Sequence, residues 1–230
     1  MSQNERSYNI TDADLLQHGE TVATVIVEDI EDFTNFDATF QEEYPTSIQN
    51  AIGAVKAIKT DMVVIDEMAE KTTAVNKALT DCNRSFRNIK YFVEKAFPDN
   101  RAIQNQFGFN DIAKYRTDAT GMIVFMGDFI TIVSKYESEL TQQGCNTALL
   151  DELPALRDNL QTAKVAQEIF KKERGLITQK RVEKLNELYR LLSPVSEVAS
   201  IIYSDDKARL ARYSFPRPKS TGKAQEEETN

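Results

Sequence analysis

The single histidine, His18, decides how much familiar chemistry is open to this chain. A zinc-protease helix needs two histidines on one face, and a di-iron carboxylate bundle needs Glu-x-x-His on each of two helices. Leu15 stands where the glutamate before His18 would be, and no nucleophile elbow accompanies it for a Ser-His-Asp triad. His18 is therefore expected as a partly exposed helix residue. The run Met62-Val63-Val64-Ile65-Asp66-Glu67 reads like a Walker B strand, whose acid manages magnesium and water beside a nucleotide. No Gly-x-x-x-x-Gly-Lys-Ser/Thr loop exists to partner it. Met62, Ile65 and Met68 also continue a helical apolar face, which predicts helix with Asp66 and Glu67 in solvent.

Carboxylates crowd Glu28-Asp29-Ile30-Glu31-Asp32, a set that could ligate a divalent ion or act as an acid–base pair. Ile30 and Phe33 claim the core side of that helix, so the acids at 28, 31 and 32 are expected on a solvated face. Cys82 and Cys145 lack Cys-x-x-Cys spacing. Cys82 lies on an apolar helical face and reads as core, whereas Cys145 follows Gly144 in a turn and is expected to be an exposed thiol. The residues assign no catalytic group, no metal ligand and no cofactor.

Binding chemistry is better represented. Phe107 and Phe109 flank Gly108 in a loop, where they either form an exposed contact site or plug the end of a helical bundle. Near the C-terminus Arg209, Arg212, Tyr213, Phe215 and Arg217 mix cations with aromatic rings, a combination that serves nucleic acid or an acidic partner. Residues 207–223 carry +6, yet residues 1–206 carry −11. A body of that charge repels polyanions, so nucleic acid is disfavoured, and intramolecular contact or plain solubility is the better reading of the basic segment.

These residues are carried by a strongly helical pattern with few glycines and prolines. Thr11 followed by Asp14 predicts a capped helix over about 12–43, with breaks available at Gly19 and Asn35-Phe36-Asp37. From Pro45 the apolar positions Ile48, Ile52, Val55, Ile58, Met62 and onward to Phe92 predict one long helix over about 45–97. A helix capped by Asn110 or Asp111 follows, with Ile112, Tyr115, Ala119, Met122 and onward to Leu140 at helical spacing, and it is apolar nearly all round between Met122 and Val133. Gly144 ends it, and helices near 151–174 and 178–205 come next, separated at Gly175 and with Pro194 expected to kink the last. The fold expected is all-α: an antiparallel up-and-down bundle of four to five helices built on the long helix, with a coiled-coil-like seam. Domain boundaries read as a disordered 1–10, a bundle over 11–206 sharing one core, and a disordered tail over 207–230, basic and then acidic.

No leader and no transmembrane segment is read, since the longest apolar window is 12 residues and contains Asp128. Two unpaired cysteines fit a cytoplasmic address. The function expected is a non-enzymatic helical interaction or structural module, a scaffold or subunit of an assembly that binds a protein partner or itself. The alternative is a bundle that binds a small molecule or metal in its core, with carboxylate-based catalysis.

Overall fold

A computed structural model of the chain describes residues 5–217. Its helices are α1 (Asp12–Phe36), α2 (Tyr44–Lys56), α3 (Asp61–Ala96), α4 (Arg101–Gln106), α5 (Ile112–Tyr115), α6 (Ala119–Lys135), α7 (Glu137–Gln142), α8 (Thr147–Asp151), α9 (Leu153–Ile202) and α10 (Lys207–Tyr213). The described residues contain no strand, so the class is all-α. One core was expected, but the chain forms two compact units. Unit 1 comprises the described residues up to Asp61 and those from Gly175 onward; unit 2 is Met62–Arg174.

In unit 1, α1 begins where its cap directs: Thr11 accepts the Asp14 amide at 3.0 Å, with Asp12 and Asp14 in the positive first turn. It stops at the expected break, Asp37 turning extended. Leu15, Val22, Ile26 and Phe33 make its buried stripe, packed with Ile48, Ile52 and Val55 of α2 and Leu185, Leu188, Leu192 and Val195 of α9. A fully buried side chain of this kind contributes about 1.5–3 kcal/mol. Pairings at Asp12–Arg181 and Asp32–Tyr203 show α1 parallel to this part of α9. Those at Tyr44–Leu191 and Ile58–Arg181 show α2 antiparallel to it. Successive helices of unit 1 therefore alternate in direction, α1 and the second half of α9 running one way and α2 the other.

In unit 2, α3 and the first part of α9 are antiparallel neighbours, tied at Thr72–Gln167, Cys82–Leu156 and Ser85–Glu152. Their core takes Phe86, Ile89 and Val93 from α3 and Met122, Met126, Phe129 and Val133 from α6. The all-round apolar α6 turns its buried stripe to that core and flanks it with the half-buried Ile123, Ile130 and Ile132; Val124 stays exposed.

The expected 45–97 helix is broken at 57–60, where neither Gly nor Pro occurs. Val55 is buried in the core of unit 1 and Val64 is buried at the start of unit 2, so the break falls where the chain passes from one unit to the other, and Met62 and Ile65 are exposed rather than core. Conversely, the helices expected on either side of Gly175 are one helix of 50 residues, in which Pro194 also lies. Gly175 is exposed and a β-carbon there would touch nothing, so it weakens the helix without ending it.

The ends depart from expectation as well. Residues 5–10 are tied down: Asn186 bonds the Glu5 carbonyl and the Ser7 amide, and Tyr8 is buried with its hydroxyl on Asp12 at 2.8 Å. The segment expected as a disordered tail from 207 opens with α10, capped by Asp206. The remainder of that expectation, on 1–4 and 218–230, lies outside the described residues.

Candidate functional site

Two features of unit 1 gather its charged chemistry, and both are built on α1. The first is a buried carboxylate. Asp29 faces inward between Ile26 and Phe33, where an unpaired charge would be prohibitive. It accepts from the Tyr213 hydroxyl at 2.6 Å, from Arg209 at 2.7 Å and from Arg212 at 3.3 Å. Arg209 also reaches Asp32 at 3.1 Å and Arg212 reaches Glu28 at 2.6 Å. The Tyr213 ring is fully buried, edge-on to Phe33 and stacked with Tyr203. Burial, then the neighbouring Asp29 carboxylate, raises the Tyr213 phenol well above its ordinary range, so it remains a donor. The arrangement clasps α10 onto α1.

The second feature is a groove between α1 and α2 with a cavity volume of about 580 Å³. Its position follows from the loop between the helices. The Thr39 amide bonds the Asp37 side chain at 2.9 Å, and the Thr34 hydroxyl bonds the Phe40 carbonyl. Phe40 is buried against Phe33 and Tyr44, which starts α2 with Pro45 in its first turn. The chain thus turns back with α2 held apart from the far side of α1. Val27, Ile30 and Pro45 supply apolar lining, and Glu31 and Glu42 stand beside them.

His18 belongs to the same unit. Its ring is buried, not partly exposed as the sequence suggested, and lies 4.5 Å from Phe215, which also packs on Tyr189. Burial lowers its pKa, and its Nε2 is a buried polar atom without a hydrogen-bond partner among the described residues.

The residues singled out for contact are thus divided between the units and mostly occupied. Phe107 is buried against Phe97, Phe129 and Tyr136, and Phe109 is half-buried on Phe86 with Lys90 over its ring. The loop plugs the unit 2 core because Gly108, at φ +81°, turns the chain inward over Phe125. Arg209, Arg212, Tyr213 and Phe215 serve intramolecular contacts, and Arg217 is exposed. Cys145, expected exposed, is buried; burial raises both thiols, Cys82 to about 11. Asp29 escaped notice because one acid among five in a run carries no mark of which faces inward. The opposite charges of 28–32 and 207–217 were the available signal.

Among the described residues no three His, Cys, Asp or Glu side chains are grouped so as to hold a metal ion, and no helix is long and apolar enough to cross a membrane. No protein-family model, curated protein or solved structure matches this chain.

Proposed function

We propose that the protein is a non-enzymatic interaction module, a subunit or scaffold of an assembly, that binds through its helix faces. One observation carries this: in unit 2, α3 and α9 expose large apolar side chains off the faces they turn to each other. Gln167 and Phe170 of α9 are buried on the α3 side, whereas Val165 and Ile169 are each more than half exposed. They lie two residues either side of Gln167, roughly opposite it on the wheel. On α3, Val64 is buried and Met62 and Ile65 are exposed. Apolar pairs one turn apart on exposed helices suit docking by another helix, whether from a partner or from a second copy.

Sedimentation velocity of the full chain at micromolar to tens of micromolar tests the self-association arm. A concentration-dependent shift that disappears in Val165→Glu/Ile169→Glu supports it. A strictly monomeric protein, together with a pull-down from native lysate whose captured proteins are the same for wild type and variant, removes the proposal's support.

A further inference from the structure

We infer that the groove between α1 and α2 is a docking site for a short basic amphipathic helix of a partner protein. The inference concerns unit 1 alone, so a monomeric protein, which would weaken the preceding proposal, leaves it standing.

Shape comes first. Val27, Ile30 and Glu31 lie on α1 at i, i+3 and i+4, one helical face, and the lining continues to Asn35, a length of about 12 Å at 1.5 Å per residue. Two turns of a guest helix cover that length. The walls are helices, with no sheet edge for an extended peptide to extend, which leaves the helix-in-groove mode of recognition. Val27 and, one residue beyond the lining, Phe36 are more than half exposed, so the described residues leave the apolar strip open.

Charge decides the occupant. Between Arg6 and Lys56 the chain has neither Lys nor Arg, and it has ten acids. On the α10 side Glu28, Asp29 and Asp32 are neutralised by Arg209 and Arg212, and on the α2 side Glu20 is neutralised by Lys56. Glu31 and Glu42, at the groove, form no ion pair among the described residues. Nucleic acid and anionic lipid meet repulsion there, and a neutral peptide would leave both carboxylates without a counter-charge.

The molecule also shows how α1 receives such a guest. α10 places Arg209, Arg212 and Tyr213 at i, i+3 and i+4, cations on the carboxylates and an aromatic ring in the core beneath. The groove offers the same pairing of carboxylates and apolar floor on another side of the same helix, with no guest from the described residues.

The probe is a fluorescein-labelled 14-residue amphipathic peptide of leucine and lysine, with a control in which every lysine is glutamate. Anisotropy is read with the full-length protein at 50 and 500 mM salt. Expected are saturable micromolar binding of the lysine peptide that weakens at high salt, and none of the glutamate peptide. Glu31→Lys/Glu42→Lys, shown folded by its thermal melt, binds at least tenfold more weakly. Val27→Ser, which leaves charge unchanged, loses several-fold. Glu137→Lys/Glu139→Lys, an equal charge change on exposed positions of unit 2, binds like wild type. The inference is overturned if the lysine peptide does not bind, or if the unit 2 variant weakens it as much as the groove variant. It is equally overturned if deleting residues 218–230 alone raises peptide affinity tenfold, which makes the chain's own terminus the occupant. A dimer that dissolves in the groove variant makes a second copy the occupant instead.

Discussion

A seven-residue helix does not persist alone in water, so the closure of α10 is set by what anchors it, and Tyr213 is the anchor that can be dissected. Tyr213→Phe removes a 2.6 Å bond from hydroxyl to carboxylate and leaves the ring in place. Bonds to charged groups are worth about 1.5–3 kcal/mol net. The low end applies, because Asp29 keeps both arginines, and about 1.4 kcal/mol is tenfold in an equilibrium. Tyr213→Ala also empties the space against Phe33 and Tyr203, at about 3–5 kcal/mol for a buried aromatic, or on the order of a thousandfold. Limited trypsin digestion reads these directly, since Lys207, Arg209 and Arg212 are cut only when α10 opens, at a rate set by the open population while reclosing is fast. Cleavage in this segment is expected to be about tenfold faster for Tyr213→Phe and a hundredfold to a thousandfold faster for Tyr213→Ala. If the two variants are cut equally fast, the ring contributes nothing. If neither exceeds wild type, Tyr213 does not hold α10 and the clasp is misread.

Other perturbations report on the rest of the fold. Gly175→Ala is expected to raise stability by about 0.5–1 kcal/mol, because the site is helical, exposed and empty around the new methyl; an unchanged or lower thermal midpoint contradicts a continuous helix there. Gly108→Ala is expected to destabilise unit 2 by about 2 kcal/mol or more in chemical denaturation, since φ is +81° and the new β-carbon would lie 2.3 Å from Phe125. For His18, burial depresses the folded pKa, so the unfolded chain binds the extra proton. Its contribution is therefore full above the unfolded value of about 6.5 and lost as pH falls below it, at up to about 1.4 kcal/mol per pH unit. The stability difference between wild type and His18→Phe should accordingly shift against wild type between pH 7.5 and 5, and a flat difference refutes the buried neutral ring. Both thiols should react slowly with a disulfide reagent at pH 8 in the native protein and at once in denaturant; a fast native phase would show Cys145 exposed.

Periodicity made the helical class and most helix starts readable. Thr11, Pro45 and the Asn35–Asp37 break are local signals, each resolved within one turn of chain. What stayed hidden depended on distant residues. The interruption at 57–60 has no breaker residue, and it falls where the chain passes from unit 1 to unit 2, a division that no local residue marks. Gly175 carries a breaker signal that the helix overrides, because a glycine in an exposed turn costs only about 1 kcal/mol while the same helix is buried further out on both sides, at Phe170 and at Arg181 and Val182. At the clasp the opposite charges of 28–32 and 207–217 were legible as a tendency to associate. The inward turn of Asp29 was not, because an acid is placed inside only by the partners that satisfy it. The groove was wholly illegible, being a space left between α1 and α2 by the packing of Phe40 and Tyr44.

The division of the chain has a consequence for biosynthesis. Unit 2 is continuous in sequence, whereas unit 1 is assembled from two segments with unit 2 inserted between them. A ribosome releases α1 and α2 early, yet their apolar stripe awaits Leu185–Val195 and Tyr213. At about 5–20 residues per second, the 150-odd residues from α2 to α10 take roughly 8–30 s to emerge. For that interval the inserted unit can close by itself, while the outer one waits as an unsatisfied helical hairpin. The apolar stripe of that hairpin stays uncovered for the same interval, and its long run of acids without a counter-charge makes two such hairpins repel one another.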